Sequence, residues 1–181
     1  MTKSSPSAAK RAAPSLLATL LALPAAFAGA QAPPAAPPAC QSAEYRQFDF
    51  WVGTWDVYLP DGQQAGENRI EPISAGCALL ENWSGRGGFT GKSLNIYDRD
   101  DKRWHQTWVD SSGGLLMIAG KLVDKRMVLT SEPSGAVGSA QQRITWTPND
   151  DDGSVRQFWE SSADAGKTWT VQFDGKYVRR K

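Results

Sequence analysis

The stretch Phe48-Asp49-Phe50-Trp51-Val52-Gly53-Thr54-Trp55-Asp56-Val57 places four aromatic rings within eight positions and one glycine between two tryptophans. Rings of that size need a large partner surface to be buried against, and a glycine between them lets the backbone pass close to a neighbour. A closed barrel supplies both. Gly53 would open a strand and Trp55 would plug the narrow end, leaving the other end free to hold a ligand. The alternative, that these aromatics are only core, is compatible with the plug.

From Trp51 onward apolar and polar residues alternate with a period of two, and turn residues recur at short intervals. The pattern predicts strands over 54–59, 67–74, 78–84, 92–98, 104–110, 115–122, 127–131, 143–148, 155–161 and 168–178, with one helical turn within Tyr45 to Trp51. Pro60-Asp61-Gly62, Asp98 to Asp101, Ser111 to Gly114, Asp124-Lys125, Asn149 to Gly153 and Asp164-Ala165-Gly166 are hairpin material. An all-β, antiparallel, up-and-down barrel of about ten strands closes its own edges with such hairpins, which favours it over a two-sheet sandwich.

The start of the chain predicts export. Lys3, Lys10 and Arg11 precede an uncharged apolar run from Leu16 to Phe27, and Ala28-Gly29-Ala30 fits a small-x-small cleavage site. The run is too short to span a bilayer permanently, so residues 1–30 read as a signal peptide and leave 181 − 30 = 151 residues in the periplasm or outside the cell. Cleavage takes the charge balance from 20 − 19 = +1 to 17 − 19 = −2, which argues against a nucleic-acid or anionic-membrane partner. Residues 31–39, rich in proline and alanine, read as an extended linker, and residues 40–181 as a single domain.

Cys40 and Cys77 are the only cysteines, and both lie in the exported part, so a disulfide is expected that tethers the N-terminal arm across the barrel entrance or flank. Two separate buried thiols are the alternative. Two cysteines and the single histidine, His105, do not complete a tetrahedral metal site without carboxylates, and no metal or cofactor is implied.

Alternation also sorts the polar residues. Ser93, Asn95 and Tyr97 share one face of their strand, and Gln106 shares one with Trp104 and Trp108. A solvent-facing row rarely carries two tryptophans, so both rows are assigned to the lumen, together with the pairs Glu81/Trp83 and Gln157/Trp159. Glu81, Trp83, Ser93, Asn95, Tyr97, Gln106, Trp108, Gln157 and Trp159 are therefore the candidate binding residues for a small, partly hydrophobic ligand, lipid-like or aromatic. The competing reading is a barrel filled by these side chains, a structural or interaction module.

His105 falls on the opposite face, away from Gln106 and Trp108, which argues against a catalytic base or a haem ligand. No serine has a histidine and a carboxylate to complete a triad. The remaining enzyme alternative is a carboxylate site in which Glu81, Asp110 and Glu160 converge. Gly91-Lys92-Ser93 is no phosphate loop, because position 86, where the first glycine belongs, is Arg86. Asp164 within Ser162 to Trp169 is expected to fix the last hairpin's turn.

The triplet Gly53-Thr54-Trp55 resembles the Gly-x-Trp signature of lipocalin-like (calycin) barrels. Taken in order, Phe48 to Val57, Gly76 to Trp83, Gly91 to Asp98 and Trp104 to Asp110 resemble exported bacterial proteins of unknown function related to the DUF1579 family. That resemblance covers nearly the whole domain. It implies a lipocalin-like barrel and carries over no catalytic or ligand-binding residue.

Overall fold

A computed structural model of the chain describes residues 40–131 and 140–180; the expected signal peptide and linker lie outside them. The strands are β1 (Gly53–Tyr58), β2 (Gln64–Ile73), β3 (Ala78–Gly85), β4 (Thr90–Asp98), β5 (Arg103–Asp110), β6 (Leu115–Val123), β7 (Arg126–Thr130), β8 (Gln141–Pro148), β9 (Val155–Ser162) and β10 (Thr170–Arg179). Each pairs with its neighbour in sequence, and β1 closes against β10, so the ten strands form an up-and-down antiparallel barrel with no free edge. Every strand differs from the sequence pattern at one or both ends, by one to three residues, and two of these shifts have a local reason. A register shift after Val57 lets β2 begin at Gln64, opposite Tyr58. β10 begins only at Thr170, because the Thr168 N–H and hydroxyl both donate to the Asp164 carboxylate, at 2.8 and 2.6 Å, which holds Thr168 in the turn.

Two short 3-10 turns, Ala43–Arg46 and Asp49–Trp51, precede β1, and Phe48 and Trp51 from this segment are fully buried. Phe48 stacks on Trp51 at 4.9 Å and meets Trp104 and Trp146 edge-on at 5.5 and 5.2 Å. The Trp55 indole N–H donates to the Trp51 carbonyl at 2.9 Å. From β10, the Arg179 guanidinium lies 4.3 Å from the Trp55 ring and donates to the Val52 carbonyl at 3.1 Å. Gly53 is required beneath it: its φ is +148°, and a β-carbon there would sit 2.3 Å from Arg179 Nη1. An aromatic plug clamped by Arg179 thus closes this end of the barrel.

Cys40 and Cys77 form a disulfide, with 5.1 Å between their α-carbons. Cys77 follows the short 3-10 turn Ser74–Gly76 between β2 and β3, at the plugged end, so the bond fastens the N-terminal arm there rather than across the entrance. Arg46 donates to the Gly76 carbonyl beside it. For a sequence separation of 37, the chain-entropy model assigns the bond a stabilisation of about 4 kcal/mol. Cys40→Ser should therefore lower the melting temperature by several degrees, as a loss of about 2–4 kcal/mol would. Free thiols in the non-reduced protein would sink the idea.

Candidate functional site: a cavity with a buried carboxyl at its inner end

At the end opposite the plug the barrel opens into a cavity of about 490 Å³. Its rim comes from the β1–β2 and β3–β4 connections through Leu59, Gln63, Arg86 and Phe89. Its walls are apolar and aromatic, chiefly Trp83, Trp108, Trp159 and Phe173, with Leu116 and Ile144. Besides the rim residues, Glu81, Gln106, Gln157 and Tyr177 supply polar lining, with Gln64 and Gln172.

Trp108 can lie back against the wall because Gly91, its near neighbour on β4, has no side chain; a β-carbon there would fall 2.1 Å from the indole ring. The Trp108 and Trp159 N–H groups are satisfied by Asp110 Oδ2 at 3.1 Å and Gln142 Oε1 at 2.7 Å. Both indoles are thus anchored by neighbours that do not line the cavity.

Strand register builds the polar end. Glu81 on β3 stands directly opposite Ser93 on β4 and diagonal to Asn68 on β2, while Asn95 stands opposite Gln106. Asn68 Nδ2 donates to one Glu81 carboxylate oxygen at 2.7 Å, and the Ser93 hydroxyl donates to the other at 2.5 Å. Ser93 Oγ in turn accepts from Asn95 Nδ2 at 2.9 Å and from Gln106 Nε2 at 3.2 Å. Gln106 Nε2 also donates to Asn95 Oδ1 at 2.9 Å. Across the barrel, Asn68 Nδ2 reaches the Tyr177 hydroxyl at 3.2 Å, and that hydroxyl donates to Gln157.

Among the described residues no cationic side chain contacts Glu81. Burial pushes its carboxyl up to about 7, against the opposing pull of the Ser93 and Asn68 hydrogen bonds. Burial, reinforced by the nearby Glu81 charge, likewise raises the Tyr177 phenol well above its ordinary range.

Among the sequence candidates, Glu81, Trp83, Gln106, Trp108, Gln157 and Trp159 line the cavity. Ser93 and Asn95 are buried behind Glu81 and Gln106 and hold them. Tyr97 lies at the plugged end, edge-on to Tyr45 at 5.3 Å and 6.2 Å from Trp104, and is no part of the cavity lining. Its face follows from alternation, but its height along the barrel does not. Asn68 and Tyr177 were not singled out from the sequence; alternation with Ile70 and with Phe173 would have turned both inward.

The three carboxylates of the enzyme alternative do not converge. Glu160 alternates with the lumen residue Trp159 and pairs with Arg143 on β8 at 2.9 Å. Asp110 caps the β5–β6 turn, where the Ser112 hydroxyl and the N–H groups of Gly114 and Ser112 hold its carboxyl down at about 2. His105 contacts Asp101 at 2.7 Å and does not line the cavity.

Neither a comparison with protein-family models nor one with curated proteins finds a match for this sequence. No helix among the described residues is long and apolar enough to cross a membrane.

Proposed function

We propose that this is an exported binding protein that holds a small, partly hydrophobic molecule inside its barrel. The observation that carries the proposal is the cavity of about 490 Å³, with aromatic walls and a few convergent polar groups. Such a space is within the range of about 300–1,000 Å³ usual for small-molecule sites. A barrel packed only for structure would fill it. Location in the periplasm or outside the cell belongs to the same proposal and is supported by the Cys40–Cys77 disulfide. So does kinship with lipocalin-like, DUF1579-related proteins, which the motifs from Phe48 to Asp110 support.

The test starts with native mass spectrometry of protein purified from its own compartment, which should show a retained small molecule. Ligand titrations followed by tryptophan fluorescence should then respond through Trp108, and Gln106→Ala should weaken binding by about 0.5–1.5 kcal/mol, the worth of one polar contact. Equal affinity in wild type, Gln106→Ala and Trp108→Ala would place the site elsewhere.

A further inference from the structure

Taking the cavity as a binding site, we infer that its ligand carries a protonated amine on an aromatic or apolar body, and that the amine sits on Glu81. Three observations point the same way. The first is charge. Among the described residues the only charged groups lining the cavity are Glu81 and Arg86. Arg86 is exposed at the rim and donates to Gln64. The groups that strands β2, β4, β5, β9 and β10 turn toward Glu81 are Asn68, Ser93, Gln106, Gln157 and Tyr177, all uncharged amides or hydroxyls. Glu81, only 4% exposed, is therefore a buried carboxyl to which the described residues bring no cation.

The second is the direction of the hydrogen bonds. Two amide N–H groups converge on Ser93 Oγ, so the Ser93 proton is forced onto Glu81. Gln106 commits Nε2 to Ser93 and Asn95, which leaves its carbonyl oxygen as the atom for the cavity. The inner end thus offers a carboxylate and a carbonyl, acceptors that suit a donor-rich head, with the amide of Gln157, whose oxygen accepts from Tyr177, beside them. The third is the wall. Trp83, Trp108, Trp159 and Phe173 surround the path to Glu81 with aromatic surface, which attracts cations. A fatty acid entering head-first would meet the Glu81 charge with its own, which removes simple carboxylates from the lipid-like ligands considered above.

The experiment compares tryptamine with two molecules of similar shape, neutral tryptophol and anionic indole-3-propionate, by calorimetry on the intact protein. Displacement of the neutral probe N-phenyl-1-naphthylamine reports cavity occupancy independently. Near pH 8, tryptamine should bind wild type about 10- to 100-fold more tightly than tryptophol, and Glu81→Gln should abolish that advantage. Toward pH 5, where the Glu81 carboxyl takes up a proton, tryptamine should weaken while tryptophol does not change. The wild-type pH series stands as a test even if the variant misfolds. Equal binding of amine and alcohol, or an advantage that survives in Glu81→Gln, overturns the amine assignment and leaves the cavity reading intact. Failure of the naphthylamine probe and all three indoles to bind overturns both.

Discussion

Trp55→Ala should lower the free energy of unfolding by about 3–5 kcal/mol, the range for a large aromatic removed from a packed core. Trp55 is fully buried, and its loss would also release the Trp51 carbonyl from its indole donor and strip the surface on which Arg179 lies. Those partners belong to the N-terminal segment and the last strand. The variant therefore weakens the junction where the barrel closes as well as its core. Urea unfolding followed by near-ultraviolet circular dichroism reads the effect directly. A loss below about 1 kcal/mol would show that the plug is not the keystone of this end.

Glu81→Gln should gain stability relative to wild type as the pH rises. A carboxyl whose value is raised from 4.5 in the unfolded chain to about 7 in the folded one binds its proton more tightly when folded. Its contribution is therefore fully present below about pH 4.5 and is lost as pH rises to about 7. Above that window the folded state bears a buried, unbalanced charge that costs about 3 kcal/mol relative to acid conditions. Glutamine removes the charge, while its amide group must face one of the two donors that the carboxylate accepts from, a cost that does not vary with pH. Relative to wild type, the variant should therefore gain several degrees in melting temperature between pH 5 and pH 8. Asp110 and Asp164, both held down at about 2, titrate alike in the two proteins and cancel in the difference. A difference in melting temperature that does not change across that window would show that Glu81 reaches solvent or a counter-ion. Beside Glu81, Asn68 Oδ1 is also buried with no hydrogen-bond partner among the described residues.

Much of the fold was legible because a period of two is a local property, and so were the hairpin turns and the glycine between Trp51 and Trp55. The site was legible in part, for a definite reason. Alternation tells which face of a strand a residue occupies, but not its distance from the plug. That distance depends on strand stagger and on where the N-terminal turns settle, and it separates Tyr97, packed against Tyr45, from Glu81, open to the cavity. The partners of Glu81 follow the same logic. Ser93 lies on the next strand and could be paired with it from a short hairpin. Asn68 joins Tyr177 only through barrel closure, across 109 residues of sequence. The carboxylate cluster failed for a simpler cause: Glu160 has the wrong parity on β9, and Asp110 is consumed by its own turn.

Trp108 rests on a backbone position rather than on another side chain. A methyl group added at Gly91 would meet the indole at 2.1 Å and force it to move, and the open space beside the ring is the cavity that it lines. The bore of this barrel is consequently encoded where no ligand would touch. Relatives that differ only at Gly91 would admit molecules of different girth while keeping the same chemical groups at Glu81 and Gln106, so size selection and head-group selection can evolve independently.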